Sequence, residues 1–131
     1  MNYEILEATK KSQDLYKLYS ELGWNKFLRL SEKELNQAMQ NSWYVIYIYD
    51  HETLIGTGRM LSDGIINAYI LGVGVHPGYQ NKGLGEEIIQ LLVKKGKEAR
   101  LNMQLFCKED VKSYYEKQKF SCFAAGMVYR G

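Results

Sequence analysis

Apolar positions along this chain recur with two periods, and each change of period marks an element. Tyr3 to Ala8 reads as a first strand. Leu15, Leu18, Tyr19 and Leu22 then share one face of a helix that Ser12 caps, that runs to about Glu21 and that Gly23 ends. Ser31, with Glu34 three residues on, has the form of a capping box and starts a second helix carrying Leu35, Ala38 and Met39. Trp43 to Tyr49 is aromatic and β-branched, as strands are. Leu54 to Leu61 and the longer Ile65 to Val75 follow, separated by the turns Asp50–Thr53 and Ser62–Gly64. Turns this short predict an antiparallel meander. Leu84, Ile88, Leu91, Leu92 and Ala99 return to helical spacing, with Glu86 and Glu87 at the start and Lys94, Lys95, Lys97 and Arg100 toward the end, as the helix dipole favours. Leu101 to Cys107 predicts a strand, Asp110 to Lys119 a short helix, and Cys122 to Arg130 a last strand.

Length and composition narrow the classes of function. The 131 residues suit one domain, and 46% hydrophobic residues can supply its core. Net charge is only +2, with acids and bases interspersed, which argues against a nucleic-acid partner. No run approaches the ~18 apolar residues of a membrane span, and the first residues lack a signal-peptide pattern. Cys107 and Cys122 form no metal or disulfide pattern. The expectation is a cytoplasmic protein with reduced thiols, no metal and no membrane partner. The 11 tyrosines predict many half-buried strand positions and a few that line a pocket.

The chemistry concentrates between the long strand and the helix after it. Pro77 stops the strand, and Gly83 and Gly85 leave backbone N–H groups uncovered where the helix begins. Such a turn favours phosphate. It is not a Walker loop, since Leu84 follows Gly83 where that loop has Lys-Ser or Lys-Thr, and the dinucleotide fingerprint is absent. What remains is Q-x-x-G-x-G, spelled Gln80, Gly83 and Gly85, after Val75-His76-Pro77. Gly72 and Gly74, two apart in the preceding strand, point to one face and bare it, while Leu71, Val73 and Val75 point to the other. Those glycines either receive a ligand along the backbone or make room for a bulky neighbour.

With its strand-to-helix setting, the Q-x-x-G-x-G loop resembles the pyrophosphate loop of the GNAT superfamily of N-acetyltransferases. Ser113 to Phe120 is similar to that family's F-Y-E-x-x-G-F segment, and the element order β-α-α-β-β-β-α-β-α-β is also the family's. The resemblance implies a mixed, mostly antiparallel α/β (α+β) fold of about six strands flanked by four helices, covering nearly the whole chain. It implies acetyl-CoA as the acyl donor. The pantetheine arm would lie along the backbone of Leu71, Gly72, Val73 and Val75, where a bulge parts two strands. The pyrophosphate would sit on the N–H groups of Gln80, Lys82, Gly83, Leu84 and Gly85; Lys82 either adds a charge there or is a solvated loop residue. Tyr115 matches the tyrosine near the sulfur of CoA, whose phenol of pKa about 10 can protonate the departing thiolate. Its plainer alternative is a packed aromatic.

Some positions depart from the pattern. Lys108 stands where the family often has Asn, Val111 where it has Ala, and Lys119 where it has Gly, the last suggesting a different turn. The long strand carries no acid to serve as general base. Glu21 is a weak candidate, and a solvated helix residue is its alternative; relayed water or an amine of low pKa would need no base. Trp24 and Asn25 fall in the expected acceptor region, where Trp24 either walls the amine by cation–π attraction or plugs the core. His76 reads as a surface or loop-packing residue and Cys107 as a buried structural thiol. The expected activity is acetyl transfer to a primary amine of a small molecule by direct attack in a ternary complex. A non-catalytic acyl-CoA binding module, and an acetyltransferase of protein or tRNA, are the alternatives. An edge left unpaired near the last strand would suit a homodimer.

Overall fold

The computed structural model describes residues 2–131. Five strands form one sheet in the order β1 (Glu4–Leu6), β2 (Tyr44–Asp50), β3 (Thr53–Ser62), β4 (Asn67–Val75), β5 (Asn102–Leu105). The first four are antiparallel neighbours, as the short turns require, and β5 runs parallel to β4. A parallel partner needs a crossover, and α4 (Leu84–Glu98) supplies it.

Helices cover both faces of the sheet. Ile88 and Leu92 of α4 pack on Ile46, Ile48, Met60, Ala68 and Ile70. On the other face Leu15, Leu18 and Tyr19 of α1 (Asp14–Glu21) and Leu35 and Met39 of α3 (Glu32–Gln40) pack on Val45, Tyr47 and Tyr49. The alternation of β2 between these two sets is why nearly every residue of it is buried. Ser31 and Glu34 form the expected capping box at α3. Gly23 follows α1 with φ +78, the left-handed conformation that suits glycine after a helix.

Several expectations need correction. Ser12 does not cap α1: the cap residue is Gln13, without a side-chain bond, and Asp14 Oδ2 instead accepts from the Lys11 N–H at 3.1 Å. A four-residue helix, α2 (Asn25–Leu28), was not expected, being too short to show a period. The helix expected over Asp110–Lys119 is a 3₁₀ turn, Glu109–Val111, followed by α5 (Lys112–Glu116). The sixth strand is absent among the described residues. The segment 121–131 stays exposed along its length, including Phe123, Met127, Val128 and Tyr129. Its apolar residues therefore have no second surface to bury against, and without burial a strand gains too little to be fixed.

Candidate active site

The β4 strand carries one residue more than its partner β3. Met60 and Arg59 pair with Ile70 and Leu71, then Thr57 and Gly56 pair with Gly74 and Val75. Gly72 and Val73 therefore face Gly58 alone, a β-bulge, and Gly72 has φ +63. The bulge resets the alternation. Ala68 and Ile70 before it, and Val73 and Val75 after it, all face α4. Leu71 does not join them, contrary to strict alternation: it pairs with Arg59, on the α1 side. Gly72 and Gly74 do share a face. A Cβ on Gly72 would lie 3.4 Å from Arg59 Nε and from the Tyr19 hydroxyl. One on Gly74 would lie 2.7 Å from Leu22 and from Trp24.

The β4–β5 pairing ends at Ile70 and Leu105. From Leu71 to Val75, β4 thus has no strand on that side among the described residues. Past its end, the loop is held by its own side chains. Gln80 Nε2 donates to Val75 O at 3.0 Å, the Gly78 N–H donates to His76 Nδ1 at 3.0 Å, and the Tyr79 hydroxyl donates to Asp50 Oδ2 at 2.5 Å. That bond and His51 hold the Asp50 carboxyl below the usual carboxylate range, Tyr79 contributing most. His76 also packs edge-on against Tyr79, as a loop-packing residue should.

The helix that follows begins bare. Its cap residue Gly83 has φ +81 and no side-chain bond. The first intrahelical bond runs from the Glu87 N–H to Gly83 O, so the N–H groups of Leu84, Gly85 and Glu86 precede any helical acceptor. A Cβ on Gly83 would meet nothing within 4 Å. The Leu84 side chain is in the core, so only its backbone faces the loop. Lys82 holds its ammonium 5.4 Å from the Tyr79 ring, with a cation's pull on nearby Asp50.

On the α1 side, the Trp24 ring stands edge-on to Tyr19 at 4.9 Å and against Gly74. It both packs the core of that face and borders the bared strand. Asn25 Nδ2 donates to Ser20 Oγ at 2.9 Å, while its Oδ1 is buried without a partner. Glu21 is exposed, at a shallow recess shared with Lys17, Glu52 and His76. It is not among the atoms nearest a Cβ on Gly72. The residue that sequence reasoning missed here is Arg59. Its signal was a lone charge inside an otherwise apolar strand beside Gly58. Its Nη1 donates to Ser42 Oγ at 3.2 Å, and its Nε is buried with no partner.

Two adjacent tyrosines of α5 diverge. The half-buried Tyr115 borders a cavity of about 280 Å³ between β5 and the segment 121–126, together with Cys107. Burial pushes its phenol up from the ordinary value, with Tyr114 and Cys107 adding to the shift. The Tyr114 hydroxyl instead reaches the start of α4, 3.1 Å from a Cβ on Gly85. Tyr114 lay inside the quoted segment, but nothing in the sequence distinguished its direction from that of Tyr115. Cys107 is exposed, not the buried thiol expected, because β5 ends two residues before it. Lys119 has φ +72, so it makes the left-handed turn of a glycine and not a different one.

Comparison with known proteins agrees with this architecture. The model of the acetyltransferase (GNAT) family matches residues 5–120. The uncharacterized N-acetyltransferase ycf52 of Pyropia yezoensis is 30% identical over 125 residues, 89% of this chain and 70% of that one. The histone acetyltransferase TAP1 of Glycine max is 30% identical over 87% of this chain, which spans 53% of it. Among solved structures, a probable acetyltransferase from methicillin-resistant Staphylococcus aureus superposes with a TM-score of 0.82 at 20% identity, covering 99% of this chain and 100% of that one. With bulge, bare helix start and family model in agreement, the chain belongs to the GNAT family and is an N-acetyltransferase.

Proposed function

We propose that this chain moves the acetyl group of acetyl-CoA to a primary amine of a small molecule, by direct attack in a ternary complex. The observation that carries the reading is the uncapped start of α4 beside the unpaired length of β4. The residues fit the donor. Open N–H groups and the helix dipole suit a pyrophosphate at Gln80, Lys82, Gly83, Leu84 and Gly85. The backbone of Leu71, Gly72 and Val73, with no strand beside it on the β5 side, suits an extended amide-bearing arm, which would reach as far as Val75, whose carbonyl already accepts from Gln80.

Acetyl-CoA, when bound, supplies the activated thioester. The chain supplies positioning and proton control. Backbone N–H groups at the bulge stabilise the developing oxyanion. Tyr115, kept neutral by burial, gives a proton to the departing thiolate. Trp24 borders the amine's side of β4, and Asn25 secures the end of α1 behind it. Glu21, exposed on α1, is a poor base, so proton removal falls to water or to an amine of low pKa. Two free cysteines suit a reducing compartment such as the cytoplasm. No helix among the described residues is long and apolar enough to cross a membrane. The exposed apolar segment beside the sheet edge at β5 supports a homodimer, which sedimentation velocity reads.

Calorimetric titration with acetyl-CoA, and with dephospho-CoA beside it, tests the donor site. Micromolar binding that disappears in Gly83→Glu is expected, since a carboxylate would stand where the pyrophosphate belongs. Equal binding by that variant would remove the phosphate-loop assignment. Tight binding without turnover of any amine would favour a non-catalytic acyl-CoA module. The soybean relative's name favours a protein acceptor as a second reading. Labelling of cell lysate with radioactive acetyl-CoA, separated by size, distinguishes the two.

A further inference from the structure

We infer that two copies of this chain exchange the segment 121–129, each laying it against β5 of the other, and that the exchanged segment closes the cavity beside Tyr115. The inference rests on the homodimer reading above and gives that dimer a structure.

β5 is the last strand of the sheet, so the outer side of Asn102–Leu105 faces no strand among the described residues. An edge of this kind is a template for another strand. The chain's own segment lies beside this edge without joining it. The cavity of about 280 Å³ stands between them, lined by Leu105 and Cys107 of one, Cys122 and Ala125 of the other, and Tyr115 of α5. Among the described residues no backbone–backbone hydrogen bond reaches 121–131. The segment is nevertheless strand-like, since Phe123, Val128 and Tyr129 are residues that strands favour. Its apolar side chains are left in water, with Met127 96% and Tyr129 90% exposed.

Area and charge select a second copy as the occupant of the gap. The chain exposes 8919 Å², where a folded monomer of 15.2 kDa exposes ~7,100 Å². The surplus of about 1,800 Å² falls within the ~1,000–2,500 Å² that each partner of an obligate dimer buries. Residues 121–129 contain no Asp, Glu, Lys or Arg, so two such strands side by side bring no like charges together. The order across the dimer is then β5, the partner's segment, the chain's own segment, and the partner's β5. In that order each segment stands off its own β5, as the cavity holds it, and a two-fold axis covers both edges at once. Because Tyr115 and Cys107 line the gap, the partner's strand becomes a wall of the proposed acid's surroundings and excludes water from it.

Cross-linking between isotopes tests the exchange. Full chains grown on heavy and on natural nitrogen are mixed, unfolded in urea and refolded. A flexible bismaleimide that spans the cavity then bridges Cys107 and Cys122. The expected product is a covalent dimer whose linked peptides pair Cys107 of one isotope with Cys122 of the other. Linked peptides of one isotope only, or no link between the two positions, overturn the inference. In a monomer the first result would mean that the segment closes on its own β5, and in a dimer that the copies meet elsewhere. Val128→Asp gives a second readout. Val128 is 67% exposed in the single chain, so a carboxylate there disturbs a monomer little but enters the exchanged interface. The variant should sediment as a folded monomer where the wild type sediments as a dimer, and a variant that stays dimeric overturns the exchange. If it does not fold, the isotope pairs decide. Acetyl transfer per chain should fall as dilution dissociates the dimer, and transfer that survives dissociation removes the role beside Tyr115. If no amine is acetylated at any concentration, the acetyltransferase reading fails by itself, and the cross-links still decide the exchange.

Discussion

Tyr114 and Tyr115 show how much one position changes a side chain's work. On a helix, consecutive residues are about 100° apart, so one phenol reaches the start of α4 while the other borders the cavity beside Cys107. The proposed acid is Tyr115, whose phenol is raised by burial. A raised pKa keeps the proton in place through neutral pH and delays its loss beyond the ordinary value of about 10. Tyr115→Phe should therefore lower kcat by about a hundredfold or more, the usual scale for a general acid, with little change in acetyl-CoA affinity. The wild-type rate should fall only above pH ~10, and this alkaline limb should be missing from Tyr115→Phe. An intact kcat in the variant would end the assignment. Tyr114→Phe should instead act on acetyl-CoA affinity, because its hydroxyl stands over Gly85.

The loop after β4 and the turn after β2 act as one element, because the Tyr79 hydroxyl bonds to Asp50. The tie fixes the phosphate loop before any ligand arrives, which lowers the ordering cost of binding. Asp50→Ala touches no ligand in this reading, yet it should weaken acetyl-CoA binding severalfold through lost preorganisation. Calorimetry checks it, and an unchanged affinity would show that the loop needs no such anchor. At this scale the sequence was most legible. Period, caps and turn residues are local, so α3 with its Ser31–Glu34 box and the β2–β3–β4 meander appeared where expected. The glycine turn that starts α4 was legible for the same reason. Arg59 was not, because its surroundings are Gly72, brought to it by strand pairing, and Tyr19, brought to it by the packing of α1 on the sheet. Leu71 was misassigned because alternation cannot reveal an inserted residue, and the sixth strand was expected from β-propensity without a surface to bury it.

The most deeply buried aromatic residues of the molecule, Tyr19, Tyr47 and Tyr49, lie in one layer between the sheet and α1. Burial pushes the Tyr47 phenol up to about 12 and also raises Tyr19 and Tyr49. An unfolded tyrosine releases its proton near pH 10. Between there and about 12 the unfolded chain holds fewer protons than the folded one, so stability must fall as pH rises through that window. Melting temperatures taken from about pH 9 upward should decline across it, and Tyr47→Phe should soften the decline. A flat profile would mean that these phenols titrate normally in the fold.

The bulge in β4 has a consequence for engineering. Without Gly72, the partners on either side would fall into a single unbroken ladder, with Val73 opposite Gly58 and every later pair unchanged. Val73 and Val75 would keep their places against α4. The ladder and the α4 face are thus indifferent to the extra residue, while on the α1 face Gly72 lies against Arg59 and Tyr19. A chain deleted for Gly72 should melt at or above the parent temperature and lose acetyl transfer. If stability is kept and transfer is lost, the extra residue serves the chemistry and not the ladder.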